Sequence, residues 1–171
     1  MSLEKRAKNF AQQAHGRIDQ RRKYTDEPYI VHPAEVVQIV KTVQHDETMV
    51  AAAWLHDVVE DTPVSHDTIK NEFGEQVAEL VFWLTDHSTL ADGNRAVRKA
   101  IDRERLAKAP VAAQTVKVAD LISNSGSILE YDAKFAQVYL KEKALLLNVL
   151  NKADKALVAR AWAIVETAEL D

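Results

Sequence analysis

The stretch that most constrains this chain is AAAWLHDVVEDTP, residues 51–63. Ala51, Ala52, Ala53, Trp54, Leu55, Val58 and Val59 are the residues of a buried helix. His56, Asp57, Glu60 and Asp61 interrupt them with four ionisable groups in six positions. An apolar interior does not accept such groups unless their charge is compensated. A metal ion is the simplest compensation, because it neutralises carboxylates and takes imidazole directly. The pattern predicts one central helix from about Glu47 to Glu60, closed by Pro63. On it His56 pairs with Glu60, and Asp57 with Asp61, at i,i+4 spacing, so both acids lie one turn beyond the His-Asp pair.

Adjacent His and Asp recur at His45–Asp46, His66–Asp67 and Asp86–His87. Those three sit in polar, turn-like surroundings, where they read as helix caps and solvated residues. Only His56–Asp57 lies in an apolar setting.

Length and composition narrow the rest. The 171 residues suffice for one domain with a real core. Few Gly and Pro (four each) suit helices joined by short loops, and no stretch alternates with a strand period. The chain carries no cysteine, so disulfides and thiolate metal sites are excluded, and any metal must sit on His, Asp or Glu. No apolar run approaches a membrane span, and MSLEKRAKNFAQQ lacks the apolar core of a signal peptide, so a cytoplasmic protein is expected. The net charge of −4 argues against general nucleic-acid binding while leaving room for an anionic small molecule.

In chain order, residues 3–18 carry apolar positions at helical spacing, with His15 beside the stripe as a packed, hydrogen-bonded histidine. DQRRKYTDEPYIVHP follows as a loop. Arg21, Arg22 and Lys23 read either as a solvated charge run or as a phosphate clamp. Pro33 suits the first position of a helix over 34–43, which puts His32 at a helix N-terminus. Ser65 caps a helix that Gly74 stops, and 75–86 is a further amphipathic helix. Residues 87–93 form a loop, and 94–109 a highly charged helix with mostly solvated basic residues. In 111–128, Val111, Thr115, Val118, Leu121 and Ile122 define an apolar face. Asp120 stands inside it, as a metal ligand or as the partner of a Lys or Arg, and Asn124 lies one turn later. Residues 132–170 read as two core helices broken near Lys152 to Asp154.

His32, His56, Asp57 and Asp120 together make a mixed nitrogen and oxygen sphere. That donor set suits a divalent first-row metal better than Ca or Mg. Four ligands leave positions open for water and substrate, as in catalytic sites.

The order H…HD…D, with ED directly after the HD helix, resembles the HD-domain metal-dependent phosphohydrolases. More narrowly it is similar to the hydrolase domain of the RelA/SpoT family and its small stand-alone relatives. The matching pieces are RRKYTDEPYIVHP, AAAWLHDVVEDTP, FGEQVAELV, LTD and VKVADLISN, within residues 7–130. The resemblance implies an all-α, single-domain HD helical bundle over 1–171, with Mn2+ held by His32, His56, Asp57 and Asp120. It implies hydrolysis of the 3′-diphosphate of guanosine tetra- or pentaphosphate, with Glu60 and Asp61 as the catalytic pair. Arg22, Lys23, Asn124 and Tyr139 match residues that contact the nucleotide. No synthetase domain follows before Asp171, so degradation and not synthesis is expected. At three places the chain departs from the family pattern. Leu121 and Gly126 replace basic residues, and the loop before Glu27–Pro28 has an extra residue and lacks the usual Gly. The alternatives are an HD phosphatase on a nucleoside monophosphate or NADPH, and a metal-dependent nucleotide-binding regulator without turnover.

Overall fold

Residues 1–169 are described in a computed structural model, with side chains through Ala168. Leu170, the end of the last expected helix, lies outside them. Among the described residues ten α-helices follow one another: α1 Leu3–Arg17, α2 Val31–Val40, α3 Glu47–Leu55, α4 Val58–Asp61, α5 His66–Phe73, α6 Glu75–Leu84, α7 Arg95–Leu106, α8 Val111–Tyr131, α9 Ala133–Leu147 and α10 Lys155–Glu169. A single 3-10 turn, Leu90–Asp92, sits inside the loop before α7. Among the described residues the only β-type pairing is an isolated antiparallel bridge between Arg21 and Pro28. The fold is all-α.

Helix α3 is the centre. Every residue from Met49 to Leu55 is buried, as expected of a helix that is apolar all round. It packs against α1, α2, α6 and α8, so it has no solvent face to furnish. Asp46 starts it by accepting the Met49 N–H at 2.8 Å, the capping role expected of that His-Asp pair. Ser65 caps α5 in the same way, and Gly74 ends it at φ +88°, a left-handed conformation suited to glycine.

The central helix does not run unbroken to Glu60. It stops at Leu55, turns through His56 and Asp57, and resumes as α4. The His56 imidazole explains the break: Nδ1 donates to the Ala53 carbonyl at 2.7 Å, the acceptor that the Asp57 N–H would use in a continuous helix. One further expectation is corrected: Val111 is 57% exposed and does not share the buried face of α8. Arg105 is an exception among the mostly solvated basic residues expected of α7: it donates to the carbonyls of Phe82, Trp83 and Thr85, closing the C-terminus of α6.

The loop between α1 and α2 is fastened at both ends. Gln20 N–H donates to the His15 carbonyl at 3.1 Å, Tyr29 N–H to the Gln20 carbonyl at 3.0 Å, and Arg22 N–H to the Glu27 carbonyl at 2.9 Å. Asp26 precedes Glu27–Pro28 with φ +59°. The missing glycine is thus replaced by one of the few residues whose side chain tolerates the left-handed region. Helix α8 carries Asp120 near its middle, where it meets α2, and also packs on α9 and α10.

Candidate metal centre and active site

Three segments bring the four expected ligands together. His32 comes from the first turn of α2, His56 and Asp57 from the α3–α4 break, and Asp120 from the middle of α8. One ligand atom from each lies within 4.8 Å of the others, an arrangement able to hold a metal ion. His32 Nε2 is 2.9 Å from Asp120 Oδ1 and 3.6 Å from Asp57 Oδ2. His56 Nε2 is 3.1 Å from Asp57 Oδ2 and 3.3 Å from Asp120 Oδ1. Yet His56 Nε2 is buried and makes no well-aligned hydrogen bond to either oxygen. It points between them, into the space a cation would fill.

The outer contacts fix the imidazoles in the form a metal needs. With Nδ1–H on the Ala53 carbonyl, His56 keeps its Nε2 lone pair inward. Ser123 Oγ donates to Glu35 Oε2 at 2.7 Å, so it accepts from His32 Nδ1 at 3.0 Å and turns His32 Nε2 inward onto Asp120 Oδ1. Tyr29 donates its hydroxyl to Asp57 Oδ2 at 2.6 Å. On α8, Lys117 Nζ holds Asp120 Oδ2 at 3.0 Å, and Asn124 Nδ2 donates to Oδ1 at 3.1 Å. Asp120 thus pairs with a lysine and also faces the cluster. The electrostatics agree with a cation site. Burial opposes ionisation of Asp57, but the His56 and His32 rings hold its carboxyl well below the usual range. Burial likewise opposes ionisation of Asp120, and Lys117 with the two imidazoles overrides it.

Glu60 and Asp61 occupy the next turn, and their environments differ. Burial, then the Asp86 and Asp57 carboxylates, push Glu60 up to about 7, although its Oε1 accepts the Asp86 N–H at 3.0 Å. Asp61 is also raised by burial and Asp57, but it keeps a side-chain donor, Gln20 Nε2, at 3.1 Å.

A cleft of about 230 Å³ opens beside the cluster, lined by Arg22, Lys23, Tyr24, Tyr29, His32, Asn124 and Phe135 among others. Three of the four expected nucleotide contacts lie on it. Lys23 is exposed, with its ammonium 5.2 Å from the Tyr24 ring centre. Arg22 is not a free cation: its side chain is 9% exposed and bonded to Glu35 at 3.0 Å. Tyr139 lies elsewhere, 5% exposed, with its hydroxyl on the Leu121 carbonyl at 3.2 Å. Leu121 is buried in the core, and Gly126 is exposed with open space where a side chain would begin. A larger apolar groove of about 780 Å³ between α8, α9 and α10 shares no residue with the cluster.

Residues 7–137 match the HD-domain family. This chain is an HD domain. Among curated proteins, the HD domain is 37% identical over 122 residues to a probable guanosine-3′,5′-bis(diphosphate) 3′-pyrophosphohydrolase of Synechocystis sp., covering 70% of this chain and 16% of that protein. It is 45% identical over 80 residues to the guanosine-3′,5′-bis(diphosphate) 3′-pyrophosphohydrolase of Aquifex aeolicus, covering 47% of this chain and 11% of that one. The HD domain thus spans less than a fifth of the length of these relatives. Among solved structures, it superposes with a TM-score of 0.87 and 26% identity on a metazoan ortholog of SpoT described as hydrolysing ppGpp and acting in starvation responses. That likeness covers 100% of this chain and 98% of the other.

Sequence reasoning missed Lys117, Ser123 and Gln20, which touch the ligands or the acid pair from outside. Lys117 left a signal, a lysine three residues before Asp120 within an apolar run. Ser123 and Gln20 left none, because short polar residues next to loops and helix ends are ordinary.

Proposed function

We propose that this HD domain is a metal-dependent phosphohydrolase that removes the 3′-diphosphate of guanosine 3′,5′-bis(diphosphate), and of the pentaphosphate, as pyrophosphate. In the first case one water is consumed, the bond between the 3′-phosphorus and the ribose oxygen breaks, and the products are GDP and pyrophosphate. The observation carrying the reading is the likeness over the whole chain to a ppGpp-hydrolysing SpoT ortholog, joined to a His-His-Asp-Asp cluster with two acids beside it. Mn2+ is the proposed ion, held by His32, His56, Asp57 and Asp120. Such an ion supplies Lewis-acid polarisation of a phosphoryl oxygen and acidification of a water molecule.

The chain's own residues would do the rest. Asp61, the carboxylate that keeps a donor, orients the attacking water and takes its proton. Glu60, whose surroundings favour a retained proton near neutral pH, returns one to the departing ribose oxygen. Glu60, without a side-chain donor, and Asp61, which has one in Gln20, divide the acid and base roles. Lys23 offsets phosphate charge at the cleft mouth, and Arg22, braced by Glu35, shapes the wall beside it. Asn124 faces the nucleotide while holding Asp120. Tyr139 acts from behind, through the Leu121 carbonyl.

The test is phosphate and pyrophosphate release by the Mn2+-loaded protein from guanosine tetraphosphate, GTP, NADPH and nucleoside monophosphates, with EDTA controls. Metal-dependent pyrophosphate release from guanosine tetraphosphate is expected. Release of phosphate from another compound alone would keep the HD chemistry and replace the substrate.

A further inference from the structure

Gln20 sits where the N-terminal helix meets the loop, and its main chain is bonded on both sides, to His15 and to Tyr29. Its side chain reaches inward. Nε2 donates to Asp61 Oδ2 at 3.1 Å, and Oε1 faces His15 Nδ1 at 2.7 Å. The polarity of this chain is forced. A carboxylate only accepts, so the amide NH2 must face Asp61, and the amide oxygen must then take a proton from His15 Nδ1. His15 is 2% exposed and its Nε2 is buried without a partner. Burial holds its ring on the neutral side, so the Nδ1–H form is the one that satisfies the contact. The ring also leans on Tyr29, with centroids 4.8 Å apart, and Tyr29 holds Asp57.

We propose that His15 and Gln20 are positioning residues for the reaction: a buried hydrogen-bond chain in which His15 fixes the Gln20 amide and Gln20 fixes the Asp61 carboxylate beside the metal centre. Among the described residues, Gln20 is the side-chain donor to Asp61. Without it the carboxylate turns freely and the attacking water loses its alignment. The same loop thus steadies a metal ligand through Tyr29 and the base through Gln20. The inference rests on the hydrolase reading of the site.

The experiment compares Gln20→Leu, His15→Leu, the double variant and His15→Asn, all Mn2+-loaded, with melting curves alongside. Each Leu variant is expected to lower kcat about 10- to 100-fold, the usual cost of losing an outer partner, with KM and Mn2+ affinity changed less than about twofold. The double variant should be no worse than the poorer single, because both cut one chain. His15→Asn, which keeps an N–H at the same place, should recover most of the rate. Full kcat in a folded Gln20→Leu protein, or losses that multiply in the double variant, would overturn the proposal. If Gln20→Leu does not fold, the isosteric Gln20→Glu, which cannot donate to Asp61, takes its place with the same expectation.

A second readout does not need turnover, so failure of the hydrolase reading would leave it intact. In Zn2+-loaded protein, carboxyl NMR follows the titration of Asp61, which Asp57, His15 and His56 face. His15→Leu should raise the Asp61 midpoint when Gln20 is present and leave it unmoved in Gln20→Leu protein, because a loosened donor favours the protonated form whereas a direct charge effect of His15 would persist without the glutamine. An unmoved midpoint with Gln20 present, or a shift that persists without it, would overturn the chain.

Discussion

Glu60 and Asp61 are neighbours in sequence with different partners, and the difference is testable one residue at a time. Glu60→Gln is expected to lower kcat at least about 100-fold while leaving Mn2+ affinity within about twofold, measured by titration calorimetry beside steady-state kinetics. The same variant should remove the falling limb near pH 7 from the kcat profile, since Glu60 must hold its proton to act as acid. It also has a stability signature. The folded carboxyl is raised to about 7 from an ordinary value of 4.5, so the neutral form is favoured by folding. That contribution is complete below the unfolded value and is lost as pH rises through the folded one. Glu60→Gln should therefore raise Tm at pH 8 and leave it unchanged at pH 4. Asp26 offers a separate check. Its left-handed φ stands where the related pattern carries glycine, so Asp26→Gly should stabilise by about 0.5–1 kcal/mol, read as a small rise in Tm. His56, Asp57 and the acid pair were legible as candidates because ionisable groups in an apolar helix demand a cause. Arg22 was misleading: its sequence neighbours gave no hint that Glu35, thirteen residues on, takes its charge.

At the scale of elements, two polar side chains join helices that apolar packing alone would leave loosely set. Arg105 gathers three carbonyls at the end of α6, next to the turn whose Asp86 N–H reaches Glu60. Gln114, fully buried in α8, donates to the Leu106 and Ala107 carbonyls at the end of α7 and accepts the Lys152 N–H between α9 and α10. Gln114→Ala should cost on the order of 3 kcal/mol by orphaning those groups, measured by denaturant unfolding. Arg105→Ala should cost about 1–3 kcal/mol, because its carbonyls are closer to water. Several helix ends followed from caps, with Asp46, Ser65 and Gly74 marking them as expected, whereas the helix expected over 34–43 runs Val31–Val40 with Pro33 as its third residue. The break in the central helix did not follow from them. Nothing in the periodicity of AAAWLHDVVEDTP distinguishes one helix from two, and only the reach of the His56 ring to Ala53 decides it. Arg105 was hidden for a similar reason, since a carbonyl-binding arginine and a solvated one have the same neighbours in sequence.

For the molecule as a whole, α8 and α3 form the frame, and the cluster sits where α2 meets both. A bound ion that favours the folded state stabilises it by mass action, about 2.7 kcal/mol at a hundredfold excess over Kd. Metal-loaded protein should therefore melt higher than protein stripped with EDTA, and the gap should close in His56→Ala. The all-α class was legible from few glycines, no strand alternation and capped helical periods. The pairing of α2 with α8, which completes the site, has no local sequence signal. That separation along the chain also has a kinetic consequence. The cluster cannot exist until the N-terminal helices and α8 have docked, so a bound ion is expected to act on unfolding and not to nucleate folding. Metal should leave the refolding rate nearly unchanged and slow unfolding, giving a protein whose persistence in the cell depends on its metal supply more than its ability to fold does.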